Sequence, residues 1–204
     1  LDGLDIPFAY YTESTFFEPG SDEPPEPVTP RFSRSERLWA HPGLTPLSQS
    51  PQPAASPLLA YRWVHTDRAL AEQLALEEEG YEATVEPGHA AVRFTNPATG
   101  RDVLPTMRAQ FHRLRAGAGI AERREVGSSI YQVFDGSGLV HVGSQSWTVG
   151  RGDVFVVPSW QPLRVQADRR IESDSGGLDL FQFSDAPVFE AVHAMRVQVG
   201  GERE

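Results

Sequence analysis

Six histidines are the residues of this chain best suited to hold a metal or move a proton: His41, His65, His89, His112, His141 and His193. A neutral imidazole nitrogen ligates Zn or Fe, and the ring titrates near neutrality. No two of the six stand at a spacing that converges on one ion. His41 lies in a proline-rich stretch, His65 just ahead of a helix cap, His89 in a Pro-Gly turn and His193 on a terminal helix. His112 and His141 alternate along strands, so both can point into one interior, and they form the fallback pair of metal ligands. The run Glu122-Arg123-Arg124-Glu125 offers either a bidentate clamp for a substrate carboxylate or an ion-pair network on a barrel rim. Ser128 and Ser129 have no adjacent His and Asp partner, which argues against a hydrolase triad. Trp147 and Trp160 suit a pocket wall or a core, and Gly117-Ala-Gly119 is too short for a phosphate loop.

Composition narrows the chemistry further. The 204 residues contain no cysteine, which excludes a disulfide framework, a zinc-thiolate site and a cysteine nucleophile. The 28 acidic residues outnumber the 18 basic ones, all of them arginine, for a net charge of −10. Such a chain has no broad attraction for phosphate backbones or anionic lipid, so neither nucleic acid nor membrane is an expected partner. Apolar runs are only a few residues long and no basic-then-apolar leader opens the chain; a cytoplasmic protein is expected.

The elements that must position these groups fall into three regions. Residues 1–20 are aromatic-rich (Phe8, Tyr10, Tyr11, Phe16, Phe17), and Leu1-Asp-Gly-Leu-Asp-Ile-Pro reads as a strand end entering a turn, as though the chain were part of something longer. Residues 21–65 form a long connection, with nine of the 17 prolines between positions 21 and 58, where neither helix nor inner strand is sustained. Leu38 and Trp39 within it are expected to dock on a folded surface. Residues 66–204 form the main domain. A helix is predicted to start at a Thr66 cap, to bury Leu70 and Leu74, to expose Glu77-Glu78-Glu79 at a fraying end, and to stop at Gly80.

Short strands follow: Ala91–Thr95, Ala109–Arg115, Ile130–Phe134, Leu139–Val142, Ser146–Val149, Asp153–Val157, Leu163–Ala167 and Leu178–Phe183. Turns are predicted at Asp135-Gly136-Ser137-Gly138 and Gly150-Arg151-Gly152-Asp153. A last helix is predicted from Ser184 to Arg196, with Val188, Ala191, Val192 and Met195 as its apolar stripe. Short strands at tight spacing with flanking helices predict an all-β jelly-roll barrel.

Val126-Gly-Ser-Ser-Ile-Tyr-Gln-Val-Phe-Asp-Gly-Ser-Gly resembles the first cupin motif, and Gly152-Asp-Val-Phe-Val-Val-Pro158-Ser-Trp160 resembles the second. Ser56-Pro-Leu-Leu-Ala-Tyr-Arg-Trp, Ala91-Val-Arg-Phe-Thr-Asn-Pro, Pro105-Thr-Met-Arg-Ala-Gln-Phe-His, Arg123-Arg-Glu-Val-Gly-Ser-Ser and Phe183-Ser-Asp-Ala-Pro extend that likeness. Together they resemble the gentisate 1,2-dioxygenase family of bicupin ring-cleaving enzymes, which includes salicylate and 1-hydroxy-2-naphthoate dioxygenases.

The resemblance implies that the chain is the C-terminal half of such an enzyme, with residues 1–20 ending an N-terminal cupin that is otherwise absent. It implies Fe(II) held by three histidines in that N-terminal cupin, with gentisate or a related hydroxylated aromatic acid and dioxygen as substrates, and a homo-oligomeric assembly. The ring opens between the carboxylate-bearing carbon and the adjacent hydroxylated carbon. Within the present chain the ligand positions of a cupin metal site fall on Glu122–Glu125, Ser129 and Leu163, so no metal is expected here. Asp2 is placed by the resemblance beside the iron and substrate; an Asp-Gly pair equally suits a turn cap. Two other readings stay open: a metal-free module that binds a small aromatic acid, and an assembly domain.

Overall fold

The computed structural model describes residues 34–39, 41, 44–48, 56–58, 61–169 and 177–200. The chain divides into two compact units, Leu1–Tyr61 with Thr95–Arg101, and Arg62–Phe94 with Asp102–Glu204. Residues 1–20, including Asp2 and the aromatic cluster, and most of the proline-rich connection lie outside the described residues.

In the first unit, helix α1 spans Arg34–Trp39. Trp39 is buried as expected of a docking residue, while Leu38 is exposed. The Tyr61 hydroxyl donates to the Thr95 carbonyl at 2.7 Å and lies 2.8 Å from the Ser56 hydroxyl. The Asn96 carboxamide oxygen accepts the Ala98 N–H at 2.9 Å, so a side chain closes the turn that Pro97 enters.

The second unit opens on helix α2, Trp63–Glu78. It starts three residues before the predicted Thr66 cap, with Arg62 at the N-cap position and no side-chain cap. Tertiary packing replaces the cap: Trp63 stands 4.6 Å from the Phe134 ring and 5.1 Å from Phe111, which draws the first turn onto the sheet. Thr66 is instead buried within the helix. Gly80, at φ 91°, ends it as predicted. The Gly80 N–H bonds the Glu77 carbonyl and the Tyr81 N–H the Leu76 carbonyl, a Schellman closure. At the acidic end Glu78 and Glu79 are exposed, as expected, whereas Glu77 is half-buried. Glu77 accepts from the Gly88 N–H at 2.9 Å and the Thr84 hydroxyl at 2.8 Å, which hold its carboxyl below its usual range, and Glu78 meets Arg115 at 2.8 Å.

Among the described residues nine strands follow: β1 (His89–Arg93), β2 (Arg108–Arg115), β3 (Gly119–Glu125), β4 (Ser129–Val142), β5 (Gln145–Gly150), β6 (Val154–Val157), β7 (Leu163–Ala167), β8 (Gly177–Ser184) and β9 (Val197–Val199). All pairs are antiparallel. Sheet I runs β1-β2-β8-β4-β6 and sheet II runs β9-β3-β7-β4-β5. The two share β4, and between them lies one apolar core that includes Leu114, Val133, Val140, Val165, Leu178 and Leu180. This is the predicted jelly roll.

The largest departure from the predicted strands is β4. Asp135-Gly136-Ser137-Gly138 does not turn; it carries one strand of 14 residues from sheet I into sheet II. A register shift between Val133 and Asp135 and Gly136 at φ 82° supply the bend. A Cβ on Gly136 would collide with the Gly177 carbonyl oxygen, so only glycine lets the chain pass there. A hairpin forms at Gly143-Ser144, between β4 and β5, while Gly150–Asp153 turns as predicted, with the Asp153 carboxylate accepting the Gly150 N–H, and joins β5 to β6, which pair with opposite halves of β4.

β3 and β9 were not legible as strands, because the first is charged and the second follows an apparent helix. The predicted C-terminal helix is short. Helix α3 spans Ala186–Ala191, and the supposed stripe residues Val188 and Val192 are exposed. Asp185 stands at its N-cap position, but its carboxylate accepts the Ser128 N–H at 2.7 Å instead of a helix N–H. Among the described residues, no helix is long and apolar enough to cross a membrane.

Candidate functional site

The predicted ligand positions come together. A cavity of about 20 Å³ opens between the sheets, lined by Arg123 and Glu125 of β3, Ser129 and Tyr131 of β4, Leu163 of β7, and Gln161 with Gly127 and Val157. Their chemistry does not suit Fe(II), which takes imidazole nitrogens and carboxylate oxygens. Leu163 has no lone pair, the Ser129 hydroxyl already accepts the Gln182 Nε2–H at 3.0 Å, and Arg123 brings a fixed cation. That guanidinium is ion-paired with Glu86, whose other oxygen accepts the Ala121 N–H at 2.7 Å. Among the described residues no group of three or more His, Asp or Glu could hold a metal ion.

Behind the cavity, the inward face of sheet I carries a chain of buried polar side chains. His89 Nε2 lies 3.0 Å from His112 Nδ1, His112 Nε2 lies 2.8 Å from Gln182 Oε1, and Gln182 Nε2 donates to the Ser129 hydroxyl. Register explains the meeting. His89 pairs with Leu114, His112 with Leu180, and Tyr131 with Gln182, which puts all these side chains on the core side.

The chain also dictates the tautomers. The Gln182 oxygen can only accept, so His112 carries its proton on Nε2 and offers Nδ1 as an acceptor to the Nε2–H of His89. His112 is therefore neutral, its Nδ1 holding no proton. Burial, then the neighbouring His112 and Arg123, push the His89 ring down to about 3. Burial, only partly offset by the Gln182 hydrogen bond, takes His112 down to about 4. Burial and then the Glu125 carboxylate hold the Tyr131 hydroxyl well above its usual range. Among the described residues two buried side-chain nitrogens lack partners, Nδ1 of His89 and Nε of Arg123.

The outward face of the same sheet carries a charged network under α2. Arg113 clamps Asp179 through Nε at 3.0 Å and Nη2 at 2.8 Å, and its Nη1 reaches Asp67 at 2.8 Å. The guanidinium also stands 5.7 Å from the Trp63 ring. Asp179 is 1% exposed, and burial raises its carboxyl against the lowering effect of Arg113.

Of the fallback histidines, only His112 enters the interior. His141 lies on the outward side of sheet II, opposite Ser146 and Arg164, since Val140 and Val142 take the core side. The partner of His112 is His89, which the Pro-Gly context marked as a turn residue; it opens β1 and is fully buried. His41, His65 and His193 are exposed. Trp147 and Trp160 are both about two-fifths exposed and neither lines the cavity. In the run Glu122–Glu125 the ion-pair reading holds for Arg123, but its partner is Glu86, thirty-seven residues earlier. Sequence reasoning had no signal for Glu86, Gln182 or Asp179, because strand register alone brings them in.

No family model matches the chain. It is 51% identical over 200 residues to a gentisate 1,2-dioxygenase of Streptomyces sp, covering 98% of this chain and 54% of that protein. It is 32% identical to a 5-aminosalicylate 1,2-dioxygenase of Comamonas sp, over 97% of this chain and 49% of that one. A crystal structure of salicylate 1,2-dioxygenase from Pseudoaminobacter salicylatoxidans with gentisate superposes with a TM-score of 0.78 at 55% identity, covering 92% of this chain and 49% of that one. The chain thus spans about half the length of the curated relatives it matches.

Proposed function

This chain is a homologue of the gentisate 1,2-dioxygenase family of cupin enzymes, and on that premise we propose that it serves as the C-terminal, metal-free cupin half of a ring-cleaving dioxygenase. The complete enzyme opens the ring of gentisate or a related hydroxybenzoate with dioxygen, and its Fe(II) is held by the N-terminal cupin, outside the present residues. On this reading residues 1–20 finish that N-terminal cupin, residues 21–65 connect the halves, and residues 66–204 form the second cupin. The protein works in the cytoplasm as a homo-oligomer.

The observation that carries the reading is the cavity. The positions where a cupin would place metal ligands line it, and they hold an arginine, a serine already engaged by Gln182, a leucine and, in Glu125, a lone carboxylate with no histidine beside it in the lining. A guanidinium paired to Glu86 fills the cationic role with a charge that cannot dissociate.

The test measures iron content and gentisate turnover after anaerobic Fe(II) loading. One sample is the chain alone, and the other is the chain joined to the remaining half of the Streptomyces relative. Near-zero iron and no turnover are expected for the chain alone, with ring cleavage in the joined protein. Stoichiometric iron in the chain alone overturns the proposal.

The alternative of a module that binds a small aromatic acid gains nothing from the cavity, since about 20 Å³ houses one water molecule. Calorimetry of the chain alone with gentisate is expected to show no specific heat. Asp2 keeps its two roles, beside the iron and substrate or as a turn cap. Asp2→Ala in the joined protein separates them: loss of turnover at unchanged melting temperature marks a substrate contact, and a lowered melting temperature at unchanged turnover marks a cap.

A further inference from the structure

The two buried side-chain nitrogens that lack partners among the described residues, Nδ1 of His89 and Nε of Arg123, are of opposite chemistry. His89 is fully buried, and its Nε2–H is spent on Nδ1 of His112. Burial, which pushes the ring down to about 3, keeps it neutral, so Nδ1 is a bare lone pair that can only accept. The guanidinium of Arg123 keeps its charge, and its Nε–H can only donate. An acceptor and a donor shut away from solvent are each costly unless something joins them.

The backbone brings the two near each other. The His89 N–H donates to the Glu86 carbonyl at 2.8 Å and the Val85 N–H to the His89 carbonyl at 2.9 Å, which fixes Glu86 at the head of β1. The Glu86 carboxylate then crosses to β3, where one oxygen pairs with Nη2 of Arg123 and the other accepts the Ala121 N–H at 2.7 Å. Arg123 is thereby held near the open end of the His89–His112–Gln182–Ser129 chain, close enough for its charge to bear on both imidazoles. The same side chain lines the cavity of about 20 Å³ between the sheets.

We propose that one internal water molecule bridges these two atoms, accepting from the Nε–H of Arg123 and donating to Nδ1 of His89. The two ends select water as the occupant. It is donor and acceptor in a single heavy atom, whereas a simple anion only accepts and leaves Nδ1 unsatisfied. A cation only donates, and it would face the guanidinium at close range. The cavity that Arg123 lines admits a molecule of this size. The water closes a run of hydrogen bonds from Glu86 through Arg123, His89, His112 and Gln182 to Ser129, which ties β3 to β1, β2, β8 and β4 across the core.

The test uses the present chain, whatever larger enzyme it belongs to. Magnetic relaxation dispersion of water oxygen counts its long-lived internal waters, and NMR cross-relaxation reads contact between water and the Arg123 Nε–H. The unsubstituted chain is expected to show a water cross-peak at that proton, and nitrogen NMR to find His89 Nδ1 without a proton. Arg123→Met is expected to lose one long-lived water from the count. Glu86→Gln takes the charge from the ion pair but leaves the Nε–H, and is expected to keep that water.

A scalar coupling running from the Arg123 Nε–H to His89 Nδ1 would put a direct bond in place of the water and overturn the proposal. So would a count that Arg123→Met leaves unchanged, or one that Glu86→Gln lowers as well, which would move the water to the ion pair. A proton found on His89 Nδ1 overturns it too, because the acceptor to which the water donates is then gone. The cross-peak and the nitrogen measurement need no substitution, so they decide the matter even if Arg123→Met fails to fold.

Discussion

Sheet I buries polar side chains on both of its faces, and the two solutions differ in kind. On the inward face His89, His112, Gln182 and Ser129 form a neutral hydrogen-bonded chain that ends at the cavity. On the outward face Arg113, Asp179 and Asp67 form a charged one beneath α2. The neutral chain is built from groups that can take up a proton, so its weakness is acid. The charged network holds its ionisation through a bidentate pair, so its weakness is the loss of one member. The outward pair anchors a helix to the sheet, while the inward chain links β1, β2, β8 and β4 behind the cavity.

The largest effect is expected on the charged face. Arg113→Met leaves the Asp179 carboxylate buried and unpaired and should cost about 3–5 kcal/mol in urea unfolding. The double variant Arg113→Met with Asp179→Leu should regain most of that loss, because no buried charge remains. If the single and double variants unfold alike, the network is not what stabilises this face.

On the neutral face, His112→Phe strands the Gln182 oxygen and the His89 Nε2–H, and should cost about 1–3 kcal/mol for each group left without a partner.

Acid should separate the two faces next. Both histidine rings sit below the unfolded value of about 6.5, at about 3 for His89 and about 4 for His112. The unfolded chain therefore binds more protons in that window. Stability from the neutral chain is complete above pH 6.5 and falls as pH drops toward 3. Unfolding followed from pH 7 to 4 should show this loss, and His89→Gln should flatten the profile. A profile unchanged by that substitution would refute the neutral assignment.

The smallest effect is expected at the cavity mouth. Ser129→Ala removes one acceptor from a site that admits water, and should cost under about 1 kcal/mol, readable as a small fall in melting temperature.

Much of this was legible locally. The strand Leu163–Ala167, the glycine stop at Gly80 and the turn at Gly150–Asp153 follow from alternation and turn chemistry, and the structure has them where expected. Local rules failed where distant packing outweighed them. Asp135-Gly136-Ser137-Gly138 has the composition of a hairpin, but its glycine is used to pass under Gly177 within one continuous strand. Thr66 has the chemistry of a cap, but the aromatic contacts of Trp63 start the helix a turn earlier. The motif spacing located the positions that line the cavity, because that spacing encodes strand order. It was silent on His89 as the partner of His112 and on Glu86 as the partner of Arg123.

The sequence by itself determined the class of fold and the kinship with ring-cleaving dioxygenases, since both depend on residue identity at short spacing. Tertiary structure alone decided which polar groups meet. Register places His89 beside His112 across 23 residues and Arg113 beside Asp179 across 66. A hydrogen bond or a covered methyl group depends on distances of a few ångströms between segments far apart in the chain, and no local pattern of residues contains those distances.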